Sequence, residues 1–232
     1  AADNKAELVL HYNFDSMAGR KAKDDSGRGN DGQVLGQVGR AKGAFGSALK
    51  LNGRDTFVNC PASPSLDISK AGTIMFWFKP DTARQGGLLG WAAGVDSSPK
   101  KEKAKTAKDF NRPSRPITTA KPNQRLVMSL KSGKETRGDG HHYREELVFY
   151  MSDGKSFDSP FSSSHHKAYY PPANQWLFYT VAFNGRTVDF YRDGVHVETR
   201  FQTLTPDVSN IPMLIGRCFG VGGESDYFKG LI

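Results

Sequence analysis

Trp176-Leu-Phe-Tyr-Thr-Val-Ala-Phe-Asn-Gly185-Arg-Thr-Val-Asp-Phe-Tyr-Arg-Asp-Gly194-Val-His-Val-Glu-Thr-Arg200 decides the fold class. Three runs rich in β-branched and aromatic residues, at 176–183, 187–191 and 195–200, are separated by Asn184-Gly185 and Asp193-Gly194. Such dipeptides supply the positive φ angles of a tight hairpin turn, and connections this short force the flanking strands to pair antiparallel. The stretch is a three-stranded meander. Outward from it the same period of two, which sends successive side chains to opposite sheet faces, recurs. Leu8, Leu10, Tyr12 and Phe14 alternate with Val9, His11 and Asn13, and Ile74, Phe76 and Phe78 with Met75 and Trp77. Further strand-like runs fall at 56–59, 125–130, 146–151 and 213–217; Asn52-Gly53 and Asp153-Gly154 add turn signals. No convincing helix stands out. An all-β, two-sheet antiparallel sandwich is the simplest way to bury these faces.

The 232 residues suit a single β-sandwich domain with long loops. The longest mainly apolar runs fall far short of the roughly 20 residues a spanning helix needs, so no membrane span is expected. The net charge of +8 is unevenly placed: residues 1–90 carry +3, residues 91–140 carry +7 and residues 141–232 carry −2. Pro99-Lys-Lys-Glu-Lys-Ala-Lys-Thr-Ala-Lys108 has no apolar face at either period and is read as part of a basic, mobile insertion at about 95–124. Charge runs are usually solvated, so nucleic acid is the weaker reading of this segment. Cys60 and Cys218 exclude a disulfide framework or a four-cysteine zinc site and leave one bridge possible. Ala1-Ala-Asp-Asn-Lys5 is like the end left by a signal peptidase, which points to a secreted, periplasmic or cell-surface address.

Several stretches together resemble a LamG-like jelly-roll domain of the concanavalin A-like lectin/glucanase superfamily. They are Leu8-Val-Leu-His-Tyr-Asn-Phe-Asp15, Asp25-Ser-Gly-Arg-Gly-Asn-Asp-Gly32 and Phe45-Gly-Ser-Ala-Leu-Lys-Leu-Asn-Gly53, then Ser65-Leu66, Thr73-Ile-Met-Phe-Trp-Phe-Lys-Pro80, Gln175-Trp-Leu-Phe-Tyr-Thr-Val-Ala182, Asp189-Phe-Tyr-Arg-Asp-Gly194, Leu214-Ile-Gly216 and Phe228-Lys-Gly-Leu-Ile232. The resemblance implies a sandwich whose members mostly bind carbohydrate or protein ligands, often as modules joined to secreted enzymes, and often with one calcium ion. Two departures stand out. The basic segment after Trp91 is longer than the usual hairpin connection, and such domains normally continue past the position of Ile232 through an acidic pair and a final strand. A fragment or a truncated last strand is expected on that ground.

Fold alone does not set function, so candidate sites are read from residues. The glucanase branch would need two carboxylates flanking one bond, about 5 Å apart for retention and wider for inversion. No Glu-x-Asp-x-x-Glu spacing occurs; Glu145 and Glu146 are neighbours that a strand would point apart, and Asp193 belongs to the turn that Asp189 precedes. There is no Gly-x-Ser-x-Gly elbow, and Gly27-Arg-Gly-Asn-Asp-Gly32 matches a dinucleotide fingerprint without the helix that would cradle phosphate. Arg137-Gly-Asp139 is a chance tripeptide. Asp24, Asp25, Asn30 and Asp31 crowd a glycine-rich turn with hard oxygen donors, the chemistry calcium prefers, and equally the chemistry that shapes turns. The pairs His141-His142 and His165-His166 lack a spacing that converges two rings on one metal and are read as loop histidines.

Sugars offer apolar ring faces and hydroxyls, so their sites combine aromatic platforms with directed hydrogen-bonding groups. An aromatic loop at about 152–175 concentrates these, with Phe157, Phe161, His165, His166, Tyr169, Tyr170 and Asn174. His141, His142 and Arg144 are expected at the same rim. Trp176 is expected to start a core strand, and Phe76, Trp77 and Phe78 to pack in the core. The reading reached is a noncatalytic carbohydrate-binding module, with polyanionic glycans favoured by the basic insertion. A cell-surface protein-interaction domain and a glycan hydrolase are the alternatives.

Overall fold

The computed structural model describes residues 6–81, 86–92, 124–137, 140–162, 172–219 and 225–232. In chain order the strands are β1 (Lys21–Ala22), β2 (Gly32–Leu35), β3 (Arg40–Lys42), β4 (Ser47–Asn52), β5 (Phe57–Cys60), β6 (Gly72–Pro80), β7 (Gly86–Ala92), β8 (Gln124–Arg137) and β9 (Gly140–Ser152). They continue with β10 (Phe157–Ser162), β11 (Leu177–Phe183), β12 (Thr187–Arg192), β13 (Val195–Phe201), β14 (Met213–Ile215), β15 (Arg217–Phe219), β16 (Ser225–Tyr227) and β17 (Lys229–Leu231). A 3₁₀ turn at Pro64–Leu66 is the only helical element among the described residues, and no helix there is long and apolar enough to cross a membrane.

Two antiparallel sheets result. One runs β1-β2-β5-β14-β7-β8-β9-β10, with β15 and β16 paired to each other and β16 attached to β7; the other runs β13-β12-β11-β6-β17-β4-β3. The meander forms as the Asn-Gly and Asp-Gly turns require, with Val181 opposite Phe190 and Asp189 opposite Thr199. Its first strand also pairs with β6, from Leu177 opposite Phe78 to Phe183 opposite Gly72. Alternation sets what is buried: Leu177, Tyr179, Val181 and Phe183 point inward and are buried, as are Val188 and Phe190 on β12. They meet Leu126, Met128, Leu147, Phe149 and Met151 of the facing sheet. Phe149 and Phe190 close the interlayer edge to face at 5.7 Å. Burying each such side chain stabilises the fold by about 1.5–3 kcal/mol.

Central strand β7 is buried at every position. Its inner face joins the core, and its outer face is covered so tightly by β15 that a Cβ on Gly87 would lie 2.1 Å from the Cys218 backbone nitrogen. A strand covered on both faces carries no alternation to read. The expected strand at 213–217 is divided at Gly216, whose φ of 82° turns the chain out of the sheet toward β15.

The structure corrects several expectations. Residues 8–14 join no ladder: Asp24, Asp25 and Asn30 hold this extended segment in place of a partner strand, while Leu10, Tyr12 and Phe14 still face the core. Asn52-Gly53 turns a corner from one sheet to the other and closes no hairpin; the Asn52 side-chain oxygen accepts from the amides of Arg54, Asp55 and Thr56. Residues 157–162, expected as loop, pair with β9 as β10. His141 and His142 lie within β9, so they are strand residues. Cys60 and Cys218 are free buried thiols in separate clusters, one in the interlayer core and one outside β8 and β9 with Val127, Val148 and Tyr150. The basic insertion falls almost entirely in 93–123, outside the described residues.

Candidate functional site

Consider first the acidic turn at 24–31. Glycines 27 and 29, at φ 83° and 75°, let the chain fold back on itself. Buried Asp24 sits at its centre: Oδ1 accepts from the His11 and Ser26 amides at 3.0 and 2.9 Å, and Oδ2 from the Ser26 hydroxyl and the Asn30 amide at 2.8 and 2.9 Å. Burial pushes the Asp24 carboxyl pKa up, yet the donors from Ser26, His11 and Asn30 outweigh it and hold the group below its ordinary value. Asp31 is lowered first by its bond to Lys21 at 2.6 Å and then by the Asp24 amide at 2.8 Å. Asp25 is engaged by the Asn13 amide and Lys23, at 2.6 and 2.7 Å. Asn30 donates to the Val9 carbonyl and the Ser65 hydroxyl, and its own carbonyl accepts from Tyr12. Tyr12 is pushed up by burial and by neighbouring Cys60.

Calcium requires carboxylate and carbonyl oxygens that converge with lone pairs free. Here each Asp24 oxygen already accepts two donors, which leaves that carboxylate no lone pair for a cation, while Asp25 and Asp31 are each held by a lysine and one amide. Among the described residues no three His, Cys, Asp or Glu side chains gather into a metal-binding group. What the arrangement does is fasten residues 9–13 to the sandwich.

The expected glycan contacts are distributed as follows. His141, His142 and Arg144 lie on β9 opposite Thr136, Glu135 and Gly133 of β8. Pairing of β8 with β7 ends at Leu130, and pairing of β9 with β10 ends at Val148. Beyond those points the two strands pair only with each other among the described residues. Asn174 is exposed at φ 61°, its amide bonded to the Pro80 carbonyl at 2.7 Å, at the entrance to β11 in the other sheet. His165, His166, Tyr169 and Tyr170 lie outside the described residues.

The surface the sequence reading missed is the outer face of β6 and β11. Phe76 and Phe78 turn inward, but Trp77 turns out, and so does Trp176, which immediately precedes β11 and meets the Lys79 ammonium. Trp77 is directly opposite Phe178; their rings stack at 5.0 Å and 30°. Phe45, from the turn between β3 and β4, meets Trp77 edge to face at 5.6 Å and is 78% exposed. The Lys79 ammonium stands 5.9 Å from the Trp176 ring, and Met75, 59% exposed, extends the apolar strip. Across the same face, Tyr191 lies opposite Thr180 and packs edge to face on His196 at 5.2 Å; the Thr199 hydroxyl bonds both His196 and Asp189. One signal for this face was in the sequence: Thr73 and Lys79 share the parity of Trp77, and polar residues mark the outward side of a strand.

Comparisons with known proteins agree with this architecture. Domain 4 of AbnA, a GH43 extracellular arabinanase from Geobacillus stearothermophilus solved with arabinotriose, is 19% identical, with a TM-score of 0.62 over 97% of this chain and 88% of that one. The binding domain of Paraclostridial Mosquitocidal Protein 1 is 16% identical, with a TM-score of 0.60 over 97% of this chain and 48% of that one. The binding domain of botulinum neurotoxin DC, solved with SialylT, is 14% identical at a TM-score of 0.53, over 90% and 43%. This chain thus spans about half the length of the toxin binding domains. At such identities the likeness establishes the fold. No curated protein matches the chain. The family model Laminin_G_3 matches residues 116–232, half of the sequence, and the chain belongs to the concanavalin A-like lectin/glucanase superfamily.

Proposed function

We propose that the protein is a noncatalytic glycan-binding module of a secreted or cell-surface protein. The observation that carries this reading is the outward aromatic strip of Trp176, Phe178, Trp77 and Phe45 on a rigid sheet face. A solvent-facing sheet surface is ordinarily polar, and half-exposed rings held by cross-strand pairing make a platform for the apolar faces of sugar rings. Thr180, Tyr191 and His196 provide hydrogen-bonding groups on the same face. Complexes of related folds with arabinotriose and SialylT support the reading, and the position of one of them within an extracellular arabinanase supports attachment to an enzyme. A glycan array probed with the wild type and with Trp77→Ala tests it. Binding that Trp77→Ala abolishes supports the strip as the site. Absence of glycan binding, or release of sugar product, contradicts the noncatalytic glycan-binding reading; the neurotoxin complex with synaptotagmin II makes a protein ligand the next to test.

A further inference from the structure

We infer that the outward strip takes a uronic-acid polysaccharide, with the sugar carboxylates directed to Lys79 and Lys50. This rests on the glycan-binding reading above and adds the ligand class. Leu231 of β17 is directly opposite Lys79 on one side and Lys50 on the other, so the two lysines share one row and one face of the sheet, with the Trp176 ring beside Lys79. Neither lysine is paired with a carboxylate among the described residues. Their neighbour Lys229 is neutralised by Asp81 at 2.7 Å, and Asp193, beside Phe178, is engaged by Arg192 at 3.3 Å. Asp189, which accepts from the Thr199 hydroxyl and lies 3.7 Å from His196, sits opposite Ala182, in the row of Thr73 and six residues along β6 from Lys79. At about 3.3 Å per residue that is roughly 20 Å away. The face therefore has a cationic end at the tryptophans and an acidic end at Asp189.

A saccharide stacked on Trp77 and Phe178 places its ring substituents toward the lysine row. Two separated ammonium groups without an arginine fork match single, spaced carboxylates better than the dense charge of a sulfated chain. The rings supply contact, and the lysines select among polymers of similar shape.

The test is isothermal titration of polygalacturonate, carboxyl-reduced polygalacturonate, neutral arabinan and dextran sulfate, at about 50 and 500 mM salt. The variants are Lys50→Gln, Lys79→Gln, the double variant and Trp77→Ala, with Lys155→Gln in the distant β9–β10 turn as control. The inference predicts polygalacturonate as the tightest ligand, weakened by salt. Each lysine change should weaken it about threefold and both together about tenfold, with Lys155→Gln unchanged. Equal binding of the reduced polymer, unaffected by the lysine changes but lost in Trp77→Ala, overturns the uronate assignment and leaves the glycan reading standing. Dextran sulfate binding more tightly and released by the lysine changes overturns the uronate class in favour of sulfate. No binding of any polymer overturns both.

Discussion

Replacing Asp24 by Ala removes the acceptor of four hydrogen bonds and separates a turn-shaping role from a metal-binding one. The Ser26 and His11 donors are part-buried and can turn to water, whereas the Asn30 amide is buried. A hydrogen bond to an ionised acceptor contributes about 1.5–3 kcal/mol, and a donor left buried without a partner costs about 1–3 kcal/mol. One stranded amide, with partial relief at Ser26 and His11, gives an expected loss of about 1.5–3 kcal/mol. The pH dependence follows from sign. The Asp24 carboxyl is held below its ordinary value in the folded protein. Its contribution is complete above the unfolded carboxyl pKa of about 3.9 and is lost as pH falls through the lower folded value. Urea unfolding at pH 7 and at progressively lower pH, with calcium or with chelator, reads all of this. Asp24→Ala should lose stability at pH 7, show a shallower acid decline, and respond to calcium no differently from the wild type. A loss below about 1 kcal/mol, or a calcium-dependent stabilisation present in the wild type and absent in Asp24→Ala, refutes the assignment.

Three further outcomes are expected. Gly87→Ala places a Cβ against the Cys218 backbone, which cannot rotate away as a side chain would, and should cost about 2–4 kcal/mol by calorimetry; a loss under about 0.5 kcal/mol would show that β15 does not cover β7 this closely. Burial and Cys60 raise the Tyr12 phenol above its ordinary value, so the stability it contributes is present below a pH of about 10 and declines above it as the unfolded state ionises. Tyr12→Phe should flatten that alkaline decline, and an unchanged slope would contradict the burial. Because both cysteines are free thiols, reductant should leave the melting temperature unchanged, whereas a bridge would have contributed about 2–4 kcal/mol.

The meander was readable because its turns and its alternation specify the same pairing. Leu177, Tyr179, Val181 and Phe183 alternate with Phe178, Thr180 and Ala182, and two-residue Gly turns permit only one register. Strand β7 was not readable: Gly86-Gly-Leu-Leu-Gly-Trp91 is covered on both faces, with Gly87 serving the close approach of β15 and Gly86 that of Tyr227 and Phe228. Residues 8–14 carry strand alternation but find their partner in side chains of the 24–31 turn, a tertiary choice that no local pattern encodes. The outward strip was hidden for a related reason. Met75 and Trp77 are as apolar as Ile74, Phe76 and Phe78, so the apolar residues of β6 did not say which face was inward, and only Thr73 and Lys79 at its ends marked the outward side. Pairing with β11 puts Phe178 on the side of Trp77, so the outward strip is seen only once the two strands are brought together.

Hydrogen exchange with and without a glycan that the protein binds tests the central claim most directly. The account predicts new protection along residues 73–79 and 176–182, centred on Trp77 and Phe178, and its disappearance in Trp77→Ala. Protection confined to the 24–31 turn or to the ribbon of β8 and β9, with residues 73–79 and 176–182 unchanged, would contradict it.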